Sequence, residues 1–329
     1  MEECRKERNH KRTSRKAEQD MYYFIVNITS RTGKGKRVWK MLEEELEKRK
    51  VEYQAFFTKY KGHAGELAGK LTKKYQEDVI SLVVVGGDGT ANEVVNGIQN
   101  FEKVKLGYIP AGSGNDLARG LHLPKNPPAA LQVILESTEL YPMDVGKVSW
   151  GRGLEQSAYF NISSGVGMDA DVCRRVNASG MKVFLNKLHL GRVSYFVQTG
   201  MTLAEMPSIQ ASVQFDDGEK KRIHGLICMA VMNHRYEGGG LPMAPDASDQ
   251  DGKLSVCYIH GVKKLSAVMA LLALVKGKHI GFRGIELSDC ESCTLWLQEP
   301  VAGHTDGEDL GDPMHLRYEC LPGALKIIR

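Results

Sequence analysis

The sequence predicts an α/β protein in which an N-terminal domain built on a parallel sheet is followed by a mainly β, sandwich-like second domain. Up to about residue 110, strand-like runs alternate with helical segments across short connections. This alternation is typical of a parallel sheet covered by helices. From about residue 141 the pattern changes to strand-like runs separated by turn residues. A chain of 329 residues is long enough for two domains with cores of their own.

The composition excludes several classes of protein. With 42% apolar and 26% charged residues, the chain is not expected to be disordered, collagen-like or a coiled coil. The longest uninterrupted apolar run, Ala267–Val275, is far shorter than the ~18 residues that span a bilayer, so we expect no transmembrane helix. Seven cysteines, an odd number, favour reduced thiols and a cytoplasmic protein.

Positive charge is concentrated at the start of the chain. The net charge is +4, and residues 4–16 hold seven Lys or Arg against one Glu. A basic arm of this kind can touch nucleic acid or an anionic membrane. We favour a disordered tail over residues 1–20, or an upstream start codon with the working protein beginning at Met21, and we expect no nucleic-acid partner.

The N-terminal domain is read as alternating strands and helices. Four strands are predicted, at Tyr22–Asn27, Val51–Thr58, Val79–Val85 and Lys105–Ile109. A polar loop over 29–35 and a helix over about Arg37–Lys50 follow the first strand. Two further helices are expected, from 61–64 to about Tyr75 and from Thr90 through Gly97. Because parallel sheets bind ligands at the carboxyl ends of their strands, the loops at 27–35, 86–90 and 110–116 are expected at one ligand-binding edge.

The second domain is expected to be mainly β. Strands are predicted at 143–149, 158–163, 209–216, 222–233, 253–259 and 285–298, and helices at about 178–205 and 262–276. The last segment, Met314–Ile328, is compatible with two strands that pair within the second domain or return to the first. We therefore assign 21–140, with about 314–329, to the first domain and 141–313 to the second.

The strongest local signal is the run Gly86-Gly87-Asp88-Gly89-Thr90-Ala91-Asn92-Glu93 after a buried strand. Its glycines allow the backbone to approach an anion closely. The helix that begins near Thr90 directs its positive end to the same place. Asp88 would repel a bare phosphate, so its presence suggests an intervening magnesium ion or a water bound to that ion. The structural alternative is a tight turn without a ligand.

A second small-residue loop follows the next strand, at Pro110–Arg119. Asn115 or Asp116 alone would be explained as a helix N-cap. The whole string is better explained as a nucleotide-binding loop, in which Gly112–Asn115 offers donors and Asp116 adds a second carboxylate near the metal.

In these motifs, the sequence resembles the diacylglycerol kinase catalytic-domain family, which includes soluble bacterial diacylglycerol kinases and the sphingosine and ceramide kinases. The resemblance extends from about Tyr22 to Ile328. Further matching segments are Met143–Gly146, Tyr159–Gly165, Glu237–Gly240 with Ala244–Ala247, Asp251–Leu254 and Thr305–Glu308. It implies a nucleotide-binding first domain, a lipid-substrate second domain and an active site in the cleft between them. It also implies an ATP- and Mg²⁺-dependent kinase that phosphorylates a lipid hydroxyl, with diacylglycerol as the default acceptor and phosphatidic acid as the product.

The resemblance also assigns nucleotide-binding residues. Asn27–Arg31 resembles the first ATP-contacting loop, although Ile28 replaces the usual Pro and Arg31 the usual Gly. Thr58 resembles the threonine near the nucleotide. The full expected set is Asn27, Ile28, Thr29, Ser30, Arg31, Thr58, Gly86, Gly87, Asp88, Gly89, Thr90, Ala91, Asn92, Glu93, Ser113 and Asn115.

Metal-binding and catalytic roles follow from the same resemblance. Asp88, Asp116 and Asp144 are expected to organise the catalytic Mg²⁺ through water. Asp306 is expected to be the general base, with Glu308 as its supporting acid. A structural Mg²⁺ is expected on Asp251 and the main-chain carbonyls of Ser248 and Lys253.

The lipid acceptor and two competing functions complete the hypotheses. Segment 178–205 mixes apolar residues with Lys and Arg, which suggests transient peripheral contact at the inner face of the membrane or a helix packed on its own domain. A homodimer is plausible by resemblance. The competing functions are a kinase of a soluble acceptor, above all an NAD kinase with the same Gly-Gly-Asp-Gly-Thr motif, and a non-catalytic nucleotide or lipid sensor.

Overall fold

The computed structural model describes residues 21–178, 209–262 and 264–329. The predicted basic tail at 1–20 lies outside the described residues, as does all but the first residue of segment 178–205. None of the helices in the described ranges combines the length and apolar character that crossing a bilayer takes.

The first lobe is a parallel sheet with helices on both faces. Its strands are β1 (Tyr22–Val26), β2 (Tyr53–Phe57), β3 (Ile80–Gly86) and β4 (Val104–Pro110), in the order β2–β1–β3–β4. All three neighbouring pairs are parallel, as the alternating pattern predicts. The helices are α1 (Ser30–Arg49), α2 (His63–Lys74), α3 (Asp88–Gly97), α4 (Asp116–Gly120) and α5 (Pro127–Glu136), with a 3₁₀ turn at Phe101–Lys103.

Successive residues of the central strands pack into two separate cores, because side chains alternate across a sheet. Leu82 and Val84 of β3 face the core under α2, α3 and α4. Val83 and Val85 face the core under α1 and α5, which contains Trp39. Since β3 is buried on both faces, its apolar run is continuous rather than alternating.

Helix α1 begins at Ser30, seven residues before the predicted start at Arg37. The segment predicted as a polar loop is therefore largely helical, even though it contains Gly33 and Gly35. Gly35 is needed because α1 passes close to the end of β1, where a Cβ at this position would overlap the carbonyl oxygen of Asn27. Gly35, which the sequence pattern places in a loop, is thus required for a close contact between α1 and the end of β1.

The second lobe is β-rich, and its neighbouring strands are antiparallel. Its core contains Val148, Phe160, Met229 and Val256. The elements before the last strand are β5 (Leu140–Trp150), β6 (Gln156–Phe160), β7 (Ser163–Gly167), α6 (Met168–Ala178), β8 (Ile209–Phe215), β9 (Lys221–Met232), β10 (Leu254–His260), α7 (Lys264–Leu274), β11 (Ile285–Cys290), β12 (Ser292–Leu297), β13 (Gly303–Thr305) and β14 (Glu308–Gly311).

The run 285–298, predicted as one strand, is two strands that pair with different partners. β11 pairs with β10, and β12 pairs with β8 and β15. The break is held by Asp216, whose Oδ1 accepts hydrogen bonds from the amides of Glu291 and Ser292. Helix α6, Met168–Ala178, was not predicted from the sequence, and the helix predicted over about 178–205 lies outside the described residues except for its first residue.

The last strand, β15 (His315–Ile328), connects the two lobes. Lys326 and Ile327 pair in parallel with β4, while the strand runs antiparallel to β5 and β12. It is one strand rather than two, with a register shift between Leu321 and Leu325. The fold class is confirmed as a mixed α/β chain with an N-terminal parallel sheet and a β-rich C-terminal part, while the division at 140/141 and 313/314 stays a prediction.

Candidate active site

A cavity of about 530 Å³ opens at the carboxyl edge of the parallel sheet. The loops after β1, β2, β3 and β4 meet there with the first turns of α1 and α3, as expected for a sheet of this kind. Among the described residues, its lining comes from the first lobe except for one residue of β14. The lining residues are Asn27, Thr29, Ser30, Thr58, Lys59, Tyr60, Lys61, Gly87, Gly89, Thr90, Glu93, Gly112 and Glu308.

Side-chain hydrogen bonds organise the floor of the cavity. Asn27 Nδ2 donates to Thr90 Oγ1 at 2.9 Å, which joins the end of β1 to α3. Asn27 Oδ1 accepts from both the amide and the hydroxyl of Thr29, at 3.1 and 2.9 Å. Asn27 therefore fixes the first loop against the glycine motif.

The two glycine-rich loops touch through their backbones. A Cβ at Gly112 would overlap the Cα of Gly87, so the approach requires glycine. Asn115 closes the second loop, because its Oδ1 accepts from the Gly112 amide and its Nδ2 donates to the Gly112 carbonyl, both at 2.9 Å. Asn115 thus positions the loop rather than lining the cavity, and Ser113 beside it is exposed.

Asp88 is half-buried behind the glycine loop and does not line the cavity. Its Oδ2 accepts from the amide of Asp116 at 3.1 Å and its Oδ1 from the amide of Leu117 at 3.2 Å. Burial raises the pKa of Asp88, although these amides oppose the shift. Asp116 is ion-paired with Arg119 and accepts the amide of Gly239 at 2.7 Å.

The two carboxylates of Asp88 and Asp116 converge on Gly114. A Cβ at Gly114 would lie 3.0 Å from Asp88 Oδ2 and 3.6 Å from Asp116 Oδ2. The structure therefore brings two of the three predicted magnesium-organising acids together. A pair of carboxylate oxygens of this kind is a donor set that suits Mg²⁺.

Asp144, the third of these acids, is buried within β5 and bonded to main-chain amides. Its Oδ2 accepts from Gly252 at 2.8 Å and its Oδ1 from Gly323 at 2.6 Å. The carboxylate thereby ties the 251–253 turn and the register shift of β15 to β5. Its share in a catalytic metal network stays a prediction.

The predicted structural metal site is a hydrogen-bonded turn. Asp251 Oδ1 accepts the amide of Lys253 at 3.0 Å, and Ser248 Oγ accepts the amide of Gln250 at 3.3 Å. Across the described ranges, no group of three or more His, Cys, Asp or Glu side chains has a metal-binding arrangement. The structural Mg²⁺ on Asp251, Ser248 and Lys253 stays a prediction.

Asp306 is held by five hydrogen bonds. Its Oδ1 accepts from the amides of Ile162 and Ser163 at 2.9 and 3.0 Å. Its Oδ2 accepts from Asn92 Nδ2 at 2.9 Å, and from the amide and side chain of Asn161 at 2.8 and 3.4 Å. Burial raises the pKa of Asp306, while these donors stabilise its charged form and oppose the shift. The carboxylate is thus fixed in one orientation.

Glu308 reaches the cavity from the second lobe. Its Oε2 lies 2.5 Å from Lys61 Nζ, which belongs to the loop between β2 and α2. Its Oε1 would lie 3.6 Å from a Cβ at Gly89. The bond to Glu308 raises the pKa of Lys61. An ion pair between the lobes thus forms part of the cavity wall.

Several expected nucleotide residues support the cavity rather than line it. Gly86, Ala91 and Asn92 lie behind the loop, and Ile28 packs against the core under α1. Arg31 lies in the first turn of α1. Glu93 lines the cavity, but its carboxylate also accepts the amides of Gly62 and Ala64 at 2.8 and 3.2 Å and so fixes the start of α2.

Three cavity residues were not predicted from the sequence, namely Lys59, Tyr60 and Lys61. A signal for them was present, since two lysines closely follow a strand whose carboxyl end lies at the predicted ligand edge. Gly112 belongs to the predicted nucleotide-binding loop, but its contact with Gly87 depends on the fold.

Comparison with known proteins identifies the family. Residues 21–148 match the diacylglycerol kinase catalytic domain, and residues 162–329 match the YegS C-terminal NAD kinase beta sandwich-like domain. The chain is 30% identical over 294 residues to a diacylglycerol kinase of Staphylococcus carnosus, with 87% of each chain covered. The chain belongs to the diacylglycerol kinase family. The resemblance found in the sequence motifs is thereby confirmed.

Other members of the diacylglycerol kinase family agree in extent and fold. The chain is 29% identical over 319 residues to YtlR of Bacillus subtilis, which is provisionally named a lipid kinase, with 93% of this chain and 98% of YtlR covered. A solved diacylglycerol kinase structure from Bacillus anthracis superposes with a TM-score of 0.65 at 20% identity, covering 94% of this chain and 96% of the other. A second structure from that organism gives 0.72 at 22% identity, covering 94% and 97%. At these identities, the superpositions establish the fold alone.

Proposed function

We propose that this protein is an ATP- and Mg²⁺-dependent lipid kinase that transfers the γ-phosphate of ATP to the hydroxyl of diacylglycerol and forms phosphatidic acid. The observation that carries the proposal is the cavity at the sheet edge. It combines two touching glycine loops from one lobe with Glu308 from the other lobe. Family membership supports the kinase reaction and the lipid class of the acceptor.

The first lobe is proposed to bind the nucleotide. Gly87, Gly89 and Gly112 allow main-chain groups to approach phosphate oxygens, and α3 directs its N-terminal end to the same cavity. Lys59 and Lys61 add positive charge at the rim. Phosphoryl transfer depends mainly on such positioning and charge stabilisation.

Asp88 and Asp116 are the residues proposed to hold the catalytic magnesium through water. Their oxygens converge on Gly114, and Asp88 is a half-buried acid close to a cavity suited to an anion. When bound, the metal ion supplies positive charge that offsets the charge of the phosphates. The protein contributes a fixed pair of carboxylates, held by the amides of Leu117 and Gly239.

Asp306 is proposed to accept the proton of the attacking lipid hydroxyl. The hydroxyl oxygen bonds to the γ-phosphorus of ATP while the bond from that phosphorus to ADP breaks, and ADP leaves. Three of its five hydrogen bonds come from main-chain amides, which keep the carboxylate in place. The side-chain donors of Asn92 and Asn161 on Oδ2 are the ones that an incoming hydroxyl can displace. Glu308, which faces the cavity and is bonded to Lys61, is the second candidate for the same role.

Labelling with ATP tests the proposal directly. Purified protein is incubated with Mg²⁺, radiolabelled ATP and mixed micelles of diacylglycerol, beside Asp306→Ala, Glu308→Gln and the exposed control Asp312→Asn. We expect labelled phosphatidic acid from the wild type and the control, and almost none from Asp306→Ala. Almost no labelled phosphatidic acid from Glu308→Gln, together with clear residual activity in Asp306→Ala, would assign the proton transfer to Glu308.

A parallel reaction with NAD separates the competing functions. Phosphorylation of NAD without any labelled lipid would replace the proposal by an NAD kinase. ATP binding without turnover on either acceptor would favour a sensor. A cytoplasmic location with transient contact at the inner face of the membrane follows from the proposed lipid acceptor, and a homodimer remains part of the proposal by resemblance only.

A further inference from the structure

The helix α7 and the turn after it expose an unusual amount of apolar surface. Five large apolar side chains there are between 40% and 55% exposed, out of eleven such side chains among the residues whose exposure the structure describes. We call this set the α7 surface. Its members are Met269, Leu272, Val275, Ile280 and Phe282. Clusters of exposed apolar side chains mark interaction sites more often than chance exposure does.

Buried residues of the same segment hold the α7 surface in place. Ala270 and Leu274 are buried, and Leu274 packs with Met232 and Met243. His279 is buried between exposed neighbours, and its Nε2 lies 3.0 Å from the carbonyl oxygen of Met243. The exposed apolar side chains therefore belong to a segment that is fixed to the rest of the protein by its buried residues.

The charge of the segment is entirely positive. Residues 261–284 contain five Lys or Arg and no Asp or Glu. Lys276, Lys278 and Arg283 are exposed among the apolar side chains of the α7 surface. The next acid along the chain, Glu286, is bonded to Lys221 and His260. Basic residues around an apolar face match the chemistry of a bilayer that contains anionic lipids, because the apolar groups enter the acyl boundary while the cations meet the headgroups.

We propose that the α7 surface docks on an anionic lipid bilayer, with Met269, Leu272 and Phe282 entering the interface. This inference rests on the proposed function, because a lipid acceptor must be drawn from a bilayer. The base of the segment packs on Met243 and Ala244, which follow the 237–240 turn. The same turn donates the Gly239 amide to Asp116. Docking at α7 is therefore connected through packed residues to the candidate active site.

Vesicle binding tests the docking surface separately from catalysis. Sedimentation with vesicles of phosphatidylglycerol and phosphatidylcholine is compared with phosphatidylcholine alone for three proteins. These are the wild type, the triple variant Met269→Ser, Leu272→Ser, Phe282→Ser, and a control that carries Met41→Ser, Val79→Ser and Met314→Ser at other exposed apolar positions. We expect anionic vesicles to bind the wild type and the control equally, and the triple variant at least tenfold more weakly.

A charge variant keeps the test independent of apolar substitutions. Lys276→Gln, Lys278→Gln, Arg283→Gln is expected to weaken binding several-fold and to reduce its salt dependence. Thermal unfolding verifies that all variants fold. Wild-type binding in the triple variant, or no binding of the wild type to anionic vesicles, would overturn the proposal. So would a triple variant that keeps vesicle binding but loses a dimer seen by sedimentation velocity, since the surface would then join two copies of the chain.

Activity on two forms of the acceptor separates failure of the surface from failure of the proposed function. We expect the triple variant to phosphorylate dissolved short-chain diacylglycerol like the wild type and vesicle-embedded diacylglycerol at least tenfold more slowly. If no lipid is phosphorylated by the wild type while anionic vesicles still bind through the α7 surface, the proposed kinase reaction fails and the docking surface stands. Equal slowing on both acceptors would contradict a docking role.

Discussion

Asn92 Nδ2 donates a hydrogen bond of 2.9 Å to Asp306 Oδ2, which joins the first glycine motif to the last acidic motif across 214 residues of chain. The same nitrogen donates to the carbonyl oxygen of Tyr159 at 3.0 Å. Asn92 thus holds the edge of the second lobe and the proposed proton acceptor from one position on α3.

Removing this link is expected to slow phosphoryl transfer more than it weakens nucleotide binding. In Asn92→Ala, Asp306 keeps its main-chain donors but loses the bond to α3, and misplacement of a reacting group commonly costs between tenfold and about a hundredfold in rate. We expect kcat to fall within this range with the KM for ATP changed less than threefold. Steady-state kinetics with labelled ATP measure both constants.

Asn96→Ala provides the matched control for Asn92. Asn96 Nδ2 donates to the carbonyl oxygen of Tyr159, and Asn96 Oδ1 accepts from the amide of Tyr159. Asn96 makes no hydrogen bond to Asp306. It is expected to keep kcat within about threefold of the wild type. Equal losses in the two variants would show that the contact with Tyr159, rather than the contact with Asp306, is what matters.

The ion pair between Lys61 and Glu308 predicts opposite kinetic effects for its two members. Lys61 adds charge at the cavity rim, so Lys61→Met is expected to raise the KM for ATP about tenfold with a smaller change in kcat. Glu308→Gln is expected to lower kcat, by about 100-fold if it takes part in proton transfer. Lys70→Met, on the exposed side of α2, is the control and should change neither constant.

The double variant Lys61→Met, Glu308→Gln measures the coupling between the two residues. If the ion pair acts as a unit, the loss in kcat/KM of the double variant, expressed as a free energy, is smaller than the sum of the losses of the two single variants. Strict additivity would mean that each residue contacts its ligand independently. A rise in the KM for ATP in Glu308→Gln alone would contradict the division of roles.

The contact between the two glycine loops predicts a sharp requirement for glycine at position 112. A Cβ in Gly112→Ala would overlap the backbone of Gly87, so one loop must move. Overpacking of this kind typically costs about 1–3 kcal/mol. We expect a lower melting temperature and a KM for ATP raised at least tenfold. Gly153→Ala is the control, because its Cβ would make an ordinary contact at 3.6 Å with Glu155. Equal melting temperatures for Gly112→Ala and the wild type would argue against the close approach of Gly112 to Gly87.

The parts of the fold that the sequence predicted are those encoded by local patterns. The apolar run of β3 and the glycines after it identify a buried strand and a turn without knowledge of any partner. The carboxyl edge of the sheet then follows from parallel topology, which places Asn27, Gly87 and Gly112 at one cavity. The sequence therefore predicted the edge of the sheet at which the cavity lies.

The features of the fold and site that could not be predicted from the sequence depend on contacts with distant residues, most of them through main-chain groups. The five donors on Asp306 come from residues more than 140 positions earlier in the chain, and those on Asp144 from Gly252 and Gly323. Neither set leaves a side-chain pattern in the sequence. For the same reason, the start of α1 was predicted too late, since the need for Gly35 arises only when α1 packs on Asn27.

A buried cluster behind Asp306 predicts how stability depends on pH. Glu237 is 6% exposed, and its Oε1 lacks a hydrogen-bond partner. Burial, together with the nearby carboxylate of Asp169, raises the pKa of Glu237 from 4.5 to about 7. His304 bonds Asp169 Oδ2 at 3.1 Å. Burial is the largest influence on the pKa of His304 and lowers it. The bond to Asp169 and the nearby carboxylates of Asp169, Glu237 and Asp306 together outweigh burial, so the net shift of the His304 pKa is upward.

The sign of the effect follows from the proton bound by Glu237. Between pH 4.5 and about 7, the folded chain holds this proton more tightly than the unfolded chain, so the free energy of unfolding falls as the pH rises through this window. Below this pH window, the stability that the bound proton contributes is fully present. Above the window, that stability is lost. Glu237→Gln removes the titration, so its stability relative to the wild type should increase by up to about 3 kcal/mol between pH 4.5 and 8.

Urea unfolding of the wild type and Glu237→Gln at several pH values between 4.5 and 8 measures this difference. His304 also contributes stability that is lost as the pH rises. Because the charge of Glu237 is one of the causes that raise the His304 pKa, this contribution is reduced, not removed, in Glu237→Gln. Glu219→Gln, in the exposed turn before β9, is the control and should follow the wild type. Parallel curves for the wild type and Glu237→Gln would mean that Glu237 is ionised throughout. The buried oxygen without a partner would then need a cation or a hydroxyl donor beside it.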